Sequence, residues 1–183
     1  AIHSDFPTFK RKENPGMAVE NKYGKLNVER YGGMLCAPWF DRPLSIAGRV
    51  IVKEGENFVT RLVNIDRDLV MIPNLAIHMN REVNDGYKYN AQKDMLPIYG
   101  DITAKDTFME TVAKAAGVKK EEILGHDLFL YNRQPGTIWG ASEEFLSSGR
   151  LDDLQCAFSS LQGFLKGQKK QHISIYCVLE HEE

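Results

Sequence analysis

The chain closes on Glu180-His181-Glu182-Glu183, set directly behind Ile173-Ser174-Ile175-Tyr176-Cys177-Val178-Leu179. The apolar, β-branched run reads as a buried strand. Four ionisable side chains at the end of such a strand are costly unless solvent or a cation receives them. A metal site at the carboxyl end of a sheet meets that demand, because ligands of open α/β sheets gather there. His3-Ser4-Asp5 and Arg150-Leu151-Asp152-Asp153 carry matching chemistry. His3 and Asp5 are two apart and share one face of a strand. Asp5 is therefore placed to orient the His3 ring, as carboxylates do for metal-bound imidazoles; a solvated, frayed terminus fits the same residues. Asp152 falls at the start of a helix. Its two oxygens suit a pair of cations about 3.5–4 Å apart, and Asp152 or Asp153 equally suits a plain helix cap. Glu182 and Glu183 are adjacent, so both reach one site only if the backbone leaves strand geometry there. One carboxylate then binds metal while the other takes a proton from water; the competing reading is an exposed acidic tail.

The rest of the chain sets the frame for that site. Its 183 residues allow one large or two small domains, and 43% apolar content is enough for a core. With 26% charged residues and a net charge of -2, no strong field invites nucleic acid or an anionic membrane. Cys36, Cys156 and Cys177 are odd in number and far apart, which fits reduced thiols in a cytoplasmic protein, with Cys156 and Cys177 as core residues. No stretch approaches membrane-spanning length, and the expectation is a protein without a signal peptide.

Residues 1–12 read as an edge strand running into a solvated basic turn, Lys10-Arg11-Lys12, with Asn14-Pro15-Gly16 as a boundary. From Tyr23 to Tyr99 short strands alternate with turns, and a hairpin is expected with arms at Arg49–Lys53 and Phe58–Ile65. Residues 79–98 are loop-like, and Asp106–Ala116 is helical with Gly117 as its C-cap. Leu128–Tyr131 is a strand and Gln134-Pro135-Gly136 a turn. Leu151, Leu154, Phe158, Leu161 and Leu165 define an amphipathic helix over 151–166, followed by a polar loop with Lys169-Lys170. His78 lies in an apolar run and reads alone as a core or interface histidine. The organisation is that of an inserted module: a strand over 1–15, a β-rich block over 16–131 and a return to the first domain over 132–183. A charged cluster straight off an apolar strand, with Ala1 at the other end, suggests an excised segment of a longer protein.

These pieces, in this order, resemble the M18 family of metallo-aminopeptidases. His3-Ser4-Asp5-Phe6-Pro7 is similar to the family's His-Thr-Asp-Ser-Pro, and Trp39-Phe40-Asp41-Arg42-Pro43-Leu44 to its Trp-Phe-Asp-Arg-Asp-Leu. Ile72-Pro73-Asn74-Leu75-Ala76-Ile77-His78, Gln134-Pro135, Arg150-Leu151-Asp152-Asp153 and Glu180-His181-Glu182-Glu183 resemble its Ile-Pro-x-Leu-Ala-Ile-His, Gln-Pro, Arg-Leu-Asp-Asn and Asp-x-Glu-Glu segments. The resemblance implies an α/β fold: part of a zinc-peptidase catalytic domain carrying an inserted, β-rich, barrel-like oligomerisation domain. It implies His3, Asp152 and Glu183 as metal residues, Asp5 as support, Glu182 as general base and His78 as a substrate-binding residue that reaches a neighbouring subunit. It further implies two divalent ions, zinc or else cobalt or manganese, a peptide substrate and a homo-oligomer. Phe6, Asp153 and Glu180 depart from the family pattern, which bears on its preference for acidic N-terminal residues. The family draws one further Asp and one further His ligand from chain beyond this segment, so the segment alone is expected to be inactive. The alternative is a non-catalytic assembly module.

Overall fold

Leu44, Ile46, Val50 and Val52 recur at even spacing, and Leu128 and Leu130 repeat the pattern; all six are fully buried. Alternation of this kind gives a strand one apolar face. The computed structural model pairs the two segments as the centre of a five-stranded sheet, and it describes residues 2–13, 16–167 and 171–183. The turn at Asn14-Pro15 and the loop with Lys169-Lys170 lie outside the described residues. The chain divides into two compact units, one of Thr8–Arg133 and one combining Ala1–Pro7 with Gln134–Glu183.

In the Thr8–Arg133 unit the order is β1 (Thr8–Arg11), β2 (Met17–Val19), β3 (Tyr23–Lys25), β4 (Val28–Tyr31), β5 (Leu44–Glu54), β6 (Asn57–Asn64), α1 (Ala91–Asp94), β7 (Ile98–Asp101), α2 (Phe108–Ala116) and β8 (Ile123–Asn132). The large sheet runs β4-β1-β8-β5-β6 and a smaller one runs β2-β3-β7, every neighbour antiparallel. The expected hairpin is β5–β6, turning through Gly55 at φ +64°. Gly48 meets β8 at Leu128 with φ +152°, and a Cβ there would lie 2.0 Å from the Asp127 carbonyl oxygen. Only glycine permits the two strands to approach so closely. The expected helix is α2, with Phe108, Val112 and Ala116 on its buried stripe and Gly117 closing it in the left-handed conformation. Burial of each large apolar side chain contributes about 1.5–3 kcal/mol.

The basic triplet is not a solvated turn, and its strand is not at an edge. Lys10 and Arg11 lie in β1, between β4 and β8. Arg11 is buried, with its guanidinium 5.2 Å from the centre of the Phe108 ring and donating to His126 Nε2. Lys10 reaches Asp127 at 2.8 Å. Charge did not forbid burial here because a ring face and a neutral imidazole receive the cation.

The other unit contains β9 (Thr137–Trp139) paired with β10 (Phe145–Ser147), and α3 (Leu151–Lys166). The α3 helix forms as its spacing predicts, but the expected stripe is not the buried one. Leu151, Leu154, Phe158 and Leu165 are 39–65% exposed, whereas Asp153 and Ala157 are buried. The covered face is set by Tyr176, whose hydroxyl donates to the Ala157 carbonyl at 2.6 Å and whose ring lies 5.7 Å from that of Phe164. The segment Ile173–Leu179 is also not the buried strand its composition suggests. Among the described residues it makes one parallel bridge, His3 to Leu179, and Ile173 is 94% exposed. β-Branched residues favour strand geometry, but a strand is stabilised only by a partner ladder and a covering layer. Cys156 and Cys177 share the same exposure and are not core residues. Among the described residues, no helix is long and apolar enough to cross a membrane.

Candidate metal centre

The bridge between His3 and Leu179 brings the two ends of the second unit side by side. Ser4 N–H donates to the Leu179 carbonyl at 2.9 Å and Leu179 N–H to the Ile2 carbonyl at 3.0 Å. Beyond Leu179 the backbone turns: His181 has φ +65°, outside the extended region. Strand alternation ends there, so the adjacent Glu182 and Glu183 reach the same place. One ligand atom from each of His3, Glu182 and Glu183 lies within 4.8 Å of the others.

The His3 ring is oriented by its own strand. Nδ1 lies 3.1 Å from the Asp5 carbonyl oxygen and 3.3 Å from Asp5 Oδ1. That pairing puts the ring N–H on Nδ1 and leaves the Nε2 lone pair facing the carboxylates. Glu182 Oε2 is 3.8 Å from Nε2 and Asp153 Oδ2 is 3.9 Å from it. Burial opposes the charged ring, but the Asp5 carbonyl and the carboxylates of Asp153, Glu182 and Asp5 outweigh it and hold His3 above its ordinary pKa. Asp5 also accepts the Glu183 N–H at 3.2 Å.

Among the sequence candidates, His3, Asp5, Glu182 and Glu183 are thus gathered. Asp152 is exposed and stands outside the three-residue group; it has non-helical angles at the head of α3, and the bond joining it to Asp153 is cis. Neither aspartate caps the helix, since Arg150 is the N-cap residue and no side-chain cap bond forms. His78 is exposed, in the short turn Ile77–Met79 beside exposed Leu75 and Met79, so it is not a core histidine. Asp153 is the neighbour that sequence reasoning passed over. It is buried and accepts the His3 N–H at 2.9 Å, with Cys156 one turn further along α3. The His3 amide first, then the thiol, hold its carboxyl below the usual range. The step of four from Asp153 to Ala157 was the available signal, and the stronger leucine and phenylalanine stripe masked it.

One imidazole and two carboxylates form a nitrogen–oxygen donor set of the kind that binds zinc. Zinc bonds of about 2.0–2.2 Å place donors on one ion at most about 4.4 Å apart, so small rotamer shifts bring the group into a coordination sphere. The residues fit a divalent ion.

The chain is similar to known proteins along its length. The model of the aminopeptidase I zinc metalloproteases (M18) matches residues 1–183. The probable M18 family aminopeptidase 2 of Clostridium novyi (strain NT) is 45% identical over 99% of this chain and 43% of its own. A structure of Chaetomium thermophilum mApe1 superposes with a TM-score of 0.78 at 27% identity, over 92% of this chain and 41% of that one. The S. cerevisiae mApe1 dodecamer gives 0.72 at 29% identity, over 90% and 37%. The chain spans less than half the length of each. It belongs to the M18 family of zinc metalloproteases.

Proposed function

We propose that this chain contributes the metal centre of a metal-dependent aminopeptidase, which removes the N-terminal residue of peptides. The approach of His3, Glu182 and Glu183 from opposite ends of the sequence carries the reading. His3 and Glu183 hold an ion, and Asp5 fixes the ring and the Glu183 backbone. When bound, zinc supplies Lewis acidity toward a substrate carbonyl and toward water. Glu182, with a side chain 48% exposed, is open to solvent; it takes the proton of the attacking water and returns it to the leaving amine. Asp152 completes a second ion position, cobalt or manganese being the alternatives to zinc. An acidic N-terminal residue is the proposed substrate preference.

The β-rich unit is proposed as an inserted oligomerisation domain from which His78 reaches a neighbouring subunit's substrate, in a cytoplasmic homo-oligomer. Its exposed Phe58, Leu62, Leu75 and Met79 support this, as does the dodecamer of the similar mApe1. With one three-residue ligand group among its described residues, the 183-residue chain alone is proposed to bind metal without turnover. The same exposed apolar residues favour a second reading, an assembly module whose metal residues are idle.

Zinc titration against a chromophoric chelator, with hydrolysis of aspartyl, glutamyl and leucyl p-nitroanilides, tests these readings. The chain is expected to bind zinc, and His3→Ala and Glu183→Ala to abolish binding. In a full-length relative, the change equivalent to Glu182→Gln should lower kcat by about 10²–10⁴-fold. Zinc binding indifferent to His3→Ala sinks the proposed centre. Self-association of a chain that binds no zinc favours the module.

A further inference from the structure

Resting on the metal-centre reading, we infer that Asp153 is a positioning residue. It ties the main chain at His3 to the first turn of α3, and so fixes where the His3 imidazole meets Glu182 and Glu183. A buried carboxylate needs donors for its oxygens. Asp153 finds one in the His3 amide at 2.9 Å, from 150 positions earlier in the chain, and Cys156 lies one turn along its own helix. A bond from a backbone amide to a carboxylate is charge-assisted and directional. The Asp5 and Glu183 pair repeats the device. In each case a carboxylate that flanks the centre holds the backbone N–H of a residue whose side chain forms it. The bridge to Leu179 aligns His3 along the strand direction, and Asp153 fixes it from the side. Outer partners of this kind commonly change metal affinity by about 10–100-fold.

The full 183-residue chain, with Asp153→Ala, Asp153→Asn and Cys156→Ala variants, separates anchoring from ligation and from charge. Asparagine keeps an acceptor oxygen for the His3 amide while losing the charge and the capacity to act as a zinc ligand. Two readouts are taken: zinc affinity by chelator competition, and hydrogen exchange of the His3 amide by NMR in the metal-free protein. Asp153→Ala is expected to lose protection at the His3 amide and to weaken zinc binding by about 10–100-fold. Asp153→Asn should restore both to within about threefold of the parent, and Cys156→Ala should weaken them less than Asp153→Ala. Full protection and parental affinity in Asp153→Ala overturn the inference, and so does an Asp153→Asn variant as defective as Asp153→Ala. If the parent binds no zinc, the metal-centre reading fails by itself, and the exchange of the His3 amide still decides whether Asp153 holds it.

Discussion

The two units of this molecule are held by different forces. In Thr8–Arg133 the core is continuous, from Phe9 through Leu44, Ile46 and Ile72 to Leu128 and Leu130. In the other unit Ala157 is the one buried apolar residue among those described. What joins it instead is a set of directed bonds: Ser4 to Leu179, Leu179 to Ile2, His3 to Asp153, Glu183 to Asp5 and Tyr176 to Ala157. Burial is strong and non-directional, whereas a hydrogen bond contributes about 0.5–1.5 kcal/mol net and fixes an angle. The unit that holds the candidate centre is therefore the weaker and the more geometrically specified of the two. Regions with few buried apolar contacts open locally at low cost.

The two tryptophans divide between the units, with Trp39 against Phe9 in one and Trp139 in the other, so fluorescence can follow each alone. In a Trp139→Phe background, Leu130→Ala should cost the β-rich unit about 2–5 kcal/mol in urea unfolding, the usual penalty for emptying a core leucine. In a Trp39→Phe background the same change should leave the Trp139 signal unmoved. A coincident shift of both would mean that one cooperative core serves the whole chain.

That division explains which features were legible in the sequence. The apolar runs at Arg49–Lys53 and Leu128–Tyr131 announced parts of β5 and β8, and Phe108 and Val112 announced α2, because these elements bury apolar residues there. Ala115, expected on the same stripe, is exposed and Ala116 is buried in its place. The same rule misread Ile173–Leu179 and the leucine stripe of α3, where apolar residues are present but uncovered. Arg11 was misread for the opposite reason: composition cannot show that a phenylalanine ring and a histidine about a hundred positions away receive its charge. At the candidate centre His3, Asp5, Glu182 and Glu183 were readable as types. The turn at His181 that unites the glutamates was only a condition, and the role of Asp153 depends on a long-range contact no local pattern encodes.

Protonation should move the two units in opposite directions. Burial first, then the Arg11 cation, depress the pKa of His126, with Glu13 and Asp127 opposing; its Nε2 accepts from Arg11, and its buried Nδ1 has no hydrogen-bond partner among the described residues. The unfolded chain therefore takes up the proton first, and the β-rich unit should lose stability as pH falls below about 6.5. His3 is raised, so in metal-free protein its contribution is complete below about 6.5 and is lost as pH climbs through the folded value. Urea midpoints read from Trp39 and Trp139 between pH 5 and 8 should diverge. His126→Gln, which keeps an acceptor for Arg11, should flatten the Trp39 profile alone. Parallel profiles, or a His126→Gln profile as steep as the parent's, would break the contrast.

The smallest effect is the sharpest test of what holds the weaker unit. Phe158 is 63% exposed on α3, so Phe158→Ala removes a whole ring that has little burial to lose. Its cost should stay within about 0.5 kcal/mol, as for other surface changes. Tyr176→Phe removes one oxygen atom, but that oxygen donates to the Ala157 carbonyl at 2.6 Å and pins the segment before Glu182 onto the helix. Its cost should reach about 0.5–1.5 kcal/mol. Measured on the Trp139 signal, the single atom should outweigh the ring. If Phe158→Ala is the more damaging change, then apolar cover and not directed bonding holds α3, and the two units differ in degree rather than in kind.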